Sequence, residues 1–238
     1  MADVNVCLAA VYGCEILIDL LLQPKRPDFS PNGRVGTRTA LVFAIASGSY
    51  GTVKKLLDYG AEINVPCPLP SPLCEAVDMG HIEIVELLLE RGADVNAIRG
   101  RALRKSAMFG HTKIVELLIK YGAYDVINTR CTSSSYSESK DTSAICLAAD
   151  FGHLDIVMLL YKNGADMCAA INRDLNALYM IYQKMPEKEK ENAYKLLLYP
   201  LQRNHSIHVI ERAWLEYAYR PGNVGFRRCL KSWTMNNS

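Results

Sequence analysis

The sequence lacks the features that mark membrane, secreted and zinc-binding proteins. No apolar run approaches the roughly 18 residues that a membrane-spanning helix needs, and acidic residues interrupt candidates such as Ile16 to Leu22. The N-terminus has no basic region that leads into an apolar stretch and a cleavage site, so we expect no secretory signal. The eight cysteines form no Cys-x-x-Cys pair, which argues against zinc clusters and thioredoxin-like chemistry.

Catalytic motifs are also missing. There is no phosphate-cradling glycine-rich loop and no Gly-x-Ser-x-Gly nucleophile motif. Glu83 and Glu86 are three residues apart on a predicted helix and are interpreted as exposed surface. His205 and His208 have a spacing compatible with a metal, but no cysteine or carboxylate cluster accompanies them. We therefore expect no enzyme activity, no catalytic residue, no metal and no cofactor.

The composition is that of a globular protein, with 50% hydrophobic and 22% charged residues and a net charge of +2. Cys7, Cys74 and Cys146 lie among leucine, alanine and isoleucine, where a reduced thiol acts as a small hydrophobic group. These cysteines indicate a reducing compartment. We therefore expect a cytoplasmic protein, in the host cytosol if it belongs to a virus or is a bacterial effector.

Several marks recur along the chain with one common period. An apolar position recurs at spacings of 32, 30, 42 and 33 residues, at Leu41, Leu73, Leu103, Ile145 and Leu178. A glycine position recurs at Gly48, Gly80, Gly110 and Gly152, and a Gly-Ala pair at Gly60, Gly92, Gly122 and Gly164. Because these marks agree, the chain is interpreted as an array of repeated units.

Each unit is predicted to contain two short helices. The first helix starts near a serine such as Ser71 or Ser143, whose hydroxyl caps exposed backbone N–H groups. It ends at the first glycine, which adopts a left-handed backbone without steric penalty. An amphipathic run such as Ile84 to Leu89 forms the second helix, and segments such as Ala97 to Gly100 supply turn formers. Neither helix can bury its apolar side alone, so neighbouring units must stack.

One unit carries a nearly complete family motif. It reads Gly80-His81-x-x-Ile84-Val85-x-x-Leu88-Leu89-x-x-Gly92-Ala93-Asp94-Val95-Asn96. This motif resembles the ankyrin repeat, and Gly110-His111 and Gly152-His153 open similar copies. The resemblance implies an all-α ankyrin-repeat solenoid of helix-turn-helix units with hairpin loops, about five clear repeats, and structural roles for the Gly-His histidines.

The chain departs from the family at the start of each first helix, where Thr-Pro-Leu-His is usual. The slots hold Thr39-Ala40-Leu41-Val42, Ser71-Pro72-Leu73-Cys74, Arg101-Ala102-Leu103-Arg104 and Ser143-Ala144-Ile145-Cys146. The histidine is absent from all four, so we expect its hydrogen bonds to be missing and packing to hold these turns.

Two regions are predicted. Residues 1–174 form the repeat array, with a truncated N-terminal cap from Cys7 to Leu22 and an irregular loop from Gln23 to Gly36. A serine-rich insertion near residues 130–141 is predicted to be disordered, either as a tolerated loop or as a recognition element. Residues 175–238 are predicted to form degenerate repeats and a helical C-terminal cap, because terminal repeats need a polar outer face.

A partner surface is predicted along the concave side of the stack. The residues just before each helix-ending glycine should line it together with the loop tips. We predict contacts from Tyr12, Asp78, Met79, Arg99, Arg101, Arg104, Met108, Phe109, Asp150 and Phe151. An aromatic and methionine stripe flanked by aspartates suits a partner with apolar anchors and a few basic groups. The alternative is that these side chains pack against neighbouring repeats.

The main functional hypothesis is a non-enzymatic scaffold that binds a partner protein on this face. The alternative is an adaptor whose C-terminal helices recruit a second machinery such as a ubiquitin ligase. The basic residues near Lys105 are accompanied by Asp78 and Asp150, so nucleic acid is not the expected partner. We expect no membrane partner and a monomer when the chain is alone.

Overall fold

The computed structural model describes residues 2–23, 28–66, 70–129 and 143–166. Within these ranges there are ten α-helices, one short 3-10 helix and one two-stranded hairpin. The helices are α1 (Ala2–Val11), α2 (Glu15–Leu21), α3 (Ala40–Ala46), α4 (Tyr50–Asp58), α5 (Pro72–Met79), α6 (Ile82–Glu90), α7 (Ala97–Phe109), α8 (Thr112–Lys120), α9 (Ala144–Asp150) and α10 (Leu154–Lys162). They pair in sequence order into repeats 1 to 5, which confirms the predicted all-α repeat architecture.

The first helix of each repeat packs on the first helices of its neighbours, and the second helices pack on one another. Helix α3 packs against α1 and α5, and α7 packs against α5 and α9. The second helices form a parallel row in which α2, α4, α6, α8 and α10 contact their neighbours. Leu41, Leu88, Leu103 and Leu118 are at most 1% exposed, so the core runs continuously between the two rows. This packing buries the apolar side that each helix pair cannot bury by itself.

The helix ends follow the predicted glycines but only part of the predicted capping. Gly80 ends α5 with φ +72°, in the left-handed region that glycine tolerates. Ser71 and Ser143 occupy N-cap positions, yet neither side chain caps a backbone N–H, so that detail of the prediction was wrong. The Ser143 hydroxyl instead lies 3.2 Å from Cys146 Sγ. Thr39 is a true cap, because its hydroxyl accepts from the Val42 N–H at 3.3 Å.

A short hairpin follows the first repeat. Strands β1 (Arg34–Val35) and β2 (Arg38–Thr39) pair antiparallel, with Arg34 opposite Thr39. The end of the segment predicted as an irregular loop is therefore ordered as a strand. Gly36, at φ +63°, begins the two-residue turn between the strands.

The Gly-His histidines pack against the preceding repeat. His81, His111 and His153 immediately precede the second helices, and their rings lie over Gly48, Gly80 and Gly110 respectively. A Cβ on Gly110 would come within 2.6 Å of the His153 ring, a distance that real Cβ atoms essentially never show. The predicted structural role of these histidines is therefore confirmed.

Asparagines connect the loops of successive repeats. Asn64 Oδ1 accepts from the Asp94 N–H at 2.9 Å, and Asn64 Nδ2 donates to the Gly92 carbonyl at 3.0 Å. Asn128 makes the same two bonds to the loop of the next repeat. Its Oδ1 accepts from the Asp166 N–H at 2.7 Å, and its Nδ2 donates to the Gly164 carbonyl at 3.1 Å. Asn96 breaks the series, since its Oδ1 is buried and has no hydrogen-bond partner among the described residues.

Replacing Asn64 with alanine should therefore destabilise the array, whereas replacing Asn96 should not. Asn64→Ala removes two bonds between repeats and should lower the free energy of unfolding by about 1–2 kcal/mol. Asn96→Ala removes a buried oxygen that already lacks a partner, so we expect no loss or a small gain. Urea unfolding followed by circular dichroism measures both variants; equal losses would contradict the assigned asparagine series.

Candidate protein-interaction surface

Four large apolar side chains occupy the same slot of different repeats. Tyr12, Met79, Phe109 and Phe151 each directly precede the glycine that ends a first helix, and they are 77%, 50%, 44% and 58% exposed. Because the first helices stack in order, these side chains follow one another along the array. We call these four residues the anchor row. Met79, Phe109 and Phe151 are also about half buried, so the predicted alternative, partial packing against neighbouring repeats, stays a prediction beside the binding one.

Lys105 fixes the centre of the anchor row. Its Nζ donates to Asp78 Oδ2 at 3.0 Å and lies 5.4 Å from the centroid of the Phe109 ring. The Phe109 ring also approaches the His111 ring, with centroids 5.9 Å apart. Phe109 therefore projects from a surface that three neighbouring polar side chains help to shape. The sequence signal for this arrangement was the spacing of four residues between Lys105 and Phe109, which places both on one helix face.

Asp78 has a different role from the predicted one. The prediction assigned it to a basic group of the partner, but its carboxylate already pairs with Lys105 across two repeats. Its second oxygen, Oδ1, is buried without a hydrogen-bond partner among the described residues. Asp150 is exposed at the end of α9. Of the two predicted aspartates, Asp78 therefore makes an ion pair within the chain, and this pair positions Lys105.

Arg99 and Arg101 are exposed, but Arg104 is not. Arg104 is only 5% exposed, and its Nη1 donates to the Arg99 carbonyl. That carbonyl is accessible because Ile98, Arg99 and Gly100 form a left-handed turn, with φ of 52°, 56° and 69°. The prediction that Arg104 contacts a partner was therefore wrong. In this repeat Arg104 occupies the slot of the family's missing histidine and makes a hydrogen bond of its own.

Met108 contributes mainly through its backbone. Its side chain is half-buried, and its carbonyl accepts a hydrogen bond from His153 Nε2 at 3.1 Å.

Burial lowers the pKa of His111, and the nearby His153 lowers this pKa further while Asp78 opposes the shift. His111 therefore stays neutral at pH 7 and packs as an uncharged ring beside Phe109.

The chemistry of the described region is that of packing. No group of three His, Cys, Asp or Glu side chains in these ranges is arranged to hold a metal ion. Cys7, Cys74 and Cys146 are buried and free, and burial together with Asp3 raises the pKa of Cys7 to about 11. Cys7 is thus a protonated thiol at neutral pH.

None of the helices described is both long and apolar enough to cross a bilayer. His205 and His208 lie outside the described residues.

Comparison with known proteins agrees with this architecture. Residues 6–99 and 98–171 match the family described as ankyrin repeats (3 copies). The chain belongs to the ankyrin-repeat family. Ankyrin repeats generally mediate protein–protein interactions, and the family is typically a non-enzymatic interaction module.

Two curated relatives are similar to this ankyrin-repeat chain over part of its length. An ankyrin repeat and KH domain-containing protein of Caenorhabditis briggsae is 32% identical over 153 residues, which cover 61% of this chain and 5% of that protein. Ankyrin repeat and KH domain-containing protein 1 of Homo sapiens is 37% identical over 94 residues, covering 37% of this chain and 4% of that protein. The chain thus matches about one twentieth of the length of each relative.

Proposed function

We propose that this protein is a non-enzymatic scaffold that binds a partner protein along the anchor row. The observation that carries the proposal is the exposure of Tyr12, Met79, Phe109 and Phe151 at equivalent positions of stacked repeats. Exposed aromatic and methionine side chains are the residue types that interfaces favour at their centres. The row runs without interruption through repeats 3 to 5, and Ser47 of repeat 2 separates these side chains from Tyr12. Such a row suits an extended partner segment that crosses several repeats.

The charges beside the anchor row indicate the chemistry of the partner. Asp78 and Lys105 neutralise each other, whereas Arg99 and Arg101 are exposed, Arg99 in the left-handed turn near the start of α7 and Arg101 just after this turn. We therefore expect the partner to place apolar side chains on the anchor row and acidic groups near these two arginines. This differs from the sequence-based expectation of basic groups, because that expectation counted Asp78 as available.

Phe109→Ala and Phe151→Ala should weaken partner capture without unfolding the protein. Each side chain is about half exposed, so its removal leaves little cavity, while loss of an interface anchor costs about 2 kcal/mol or more of binding free energy. Affinity purification from a cytosolic extract, with quantitative mass spectrometry, compares what the wild type and both variants retain.

Tyr50→Ala is the matched control for these variants. Tyr50 is 46% exposed, but it opens the second helix α4 and does not occupy the slot that defines the anchor row. The proposal requires that the Tyr50 variant keep the partners that the phenylalanine variants lose, at unchanged urea midpoints. Equal retention by all three variants would show that the anchor row is not the binding surface.

The adaptor hypothesis concerns residues 175–238, which lie outside the described residues, and it stays a prediction.

A further inference from the structure

The ring of His111 lies at the contact between repeats 3 and 4. Its Cε1 and Nε2 atoms are 3.1 Å and 3.2 Å from the position that a Cβ on Gly80 would take, so the ring packs directly on the backbone that ends α5. The same ring is 5.9 Å from the Phe109 ring, centroid to centroid. His111 therefore contacts both the backbone of repeat 3 and an aromatic side chain of its own repeat.

The joint between repeats 3 and 4 differs from the joints on either side of it. Asn64 bonds to the next loop at the joint before it, and Asn128 does so at the joint after it. At the joint itself, Asn96 Oδ1 finds no hydrogen-bond partner among the described residues. All three joints have a histidine ring on a glycine. Loss of this ring packing should therefore have its largest effect where the asparagine bonds do not support it.

Charged and titratable groups of both signs lie on the elements around His111. They are Asp78 at the end of α5, His81 and Glu83 at the start of α6, Lys105 in α7, Lys113 in α8, Asp150 at the end of α9, and His153 before α10. Burial has the largest effect on the pKa of His111 and lowers it from the ordinary value of 6.5. His153 lowers this pKa further, and the opposing attraction of Asp78 is the smallest of the three effects. The folded array therefore disfavours a proton on His111.

Acid should weaken the array through this preference for a neutral ring. In the unfolded chain His111 is in water, so it binds a proton at a higher pH than in the folded chain. The stability that depends on a neutral His111 is complete above pH 6.5 and is lost as the pH falls through the lower pKa of the folded state. Because the ring packs on Gly80, we expect this loss at the joint between repeats 3 and 4.

We propose that the joint between repeats 3 and 4 is a pH-sensitive hinge, which opens when His111 takes up a proton. The charged ring is better solvated in water than on the Gly80 backbone. When the ring leaves, Asn96 Oδ1 makes no bond among the described residues that would hold the two loops together. Opening interrupts the anchor row, and this consequence alone rests on the proposed function.

Urea unfolding of the full chain at about pH 7.5 and about pH 5.5 tests the hinge, because these values lie on either side of the ordinary pKa of histidine. The wild-type midpoint should be lower in acid. His111→Gln keeps a polar side chain that takes up no proton, so most of this shift should disappear. His81→Gln is the matched control and should keep the shift, because it makes the same substitution at the joint that the Asn64 bonds support. An equal shift in the wild type and in His111→Gln would overturn the proposal, as would the same loss of the shift in His81→Gln.

Hydrogen exchange measured by mass spectrometry locates the opening in the unsubstituted chain, so it tests the hinge even if a variant does not fold. The rates are corrected for the intrinsic effect of pH on amide exchange. Amides of α5 to α8 should lose protection in acid before those of α3 and α4, because repeats 3 and 4 are the ones that lose a stabilising neighbour. A loss of protection that begins in α3 and α4, or that is equal along the array, would exclude the hinge.

The outcome for the hinge is separate from the outcome for the anchor row. Neither measurement uses a partner, so a failed hinge leaves the proposed binding surface intact. A joint that opens in acid, together with unchanged partner capture by Phe109→Ala and Phe151→Ala, would reject the anchor row and keep the hinge.

Discussion

Replacing Leu118 with alanine should lower the free energy of unfolding by about 2–5 kcal/mol. Leu118 is fully buried in α8, which packs between α6 and α10, so the cavity affects the contacts of three repeats at once. Urea unfolding followed by circular dichroism at 222 nm measures the loss as a shift of the midpoint.

Leu20→Ala is the matched control, because it makes the same substitution on an exposed part of α2. Leu20 is 46% exposed, and leucine and alanine have similar helix propensities. We expect a change within about 0.5 kcal/mol. A comparable loss in both variants would mean that the second-helix row is not the core that the structure shows.

Gly110→Ala should strongly destabilise the array, for two separate reasons. Gly110 has φ +78°, a conformation that costs an alanine about 1–2 kcal/mol. The added Cβ would also lie 2.6 Å from the His153 ring, and relieving such overpacking costs about a further 1–3 kcal/mol. Moving the ring also endangers its hydrogen bond to the Met108 carbonyl.

Gly60→Ala separates the two contributions. Gly60 has φ +86°, yet nothing described lies within 4 Å of its added Cβ, so it reports only the backbone strain. Thermal and urea unfolding of both variants should show the larger loss at Gly110. If the two losses were the same, the histidine-on-glycine contact would not contribute to the repeat interface.

The sequence predicted the repeats because their signals are local. Gly80 and Gly110 end helices through their own backbone preference, and the apolar spacing of Ile84 to Leu89 determines which side of α6 is buried. The anchor row followed from the same register, since Met79 and Phe109 each precede one of these glycines. Such features need no knowledge of the neighbouring repeat.

Other features depend on backbone conformations or contacts that the local sequence pattern does not reveal. Arg104 is an arginine in a helix and was expected at the surface, because its burial requires the carbonyl presented by the left-handed turn at Arg99. The β1–β2 hairpin was missed because two-residue strands are too short for an alternating pattern. Asn64 and Asn96 stand in the same local motif, yet only Asn64 finds partners in the next repeat.

The unpartnered Asn96 has a consequence for how the array divides. In a linear array, stability is the sum of the repeats and their nearest-neighbour couplings, so the weakest coupling sets where cooperativity breaks. The joint between repeats 3 and 4 lacks the asparagine bonds that repeats 2 and 4 make to their successors. The Asp78–Lys105 ion pair and the His111 ring over Gly80 are side-chain contacts that remain at this joint, so a Lys105 substitution would favour separation of an N-terminal block from a C-terminal block. A ligand lying across Met79 and Phe109 would span that boundary and fasten the two blocks together.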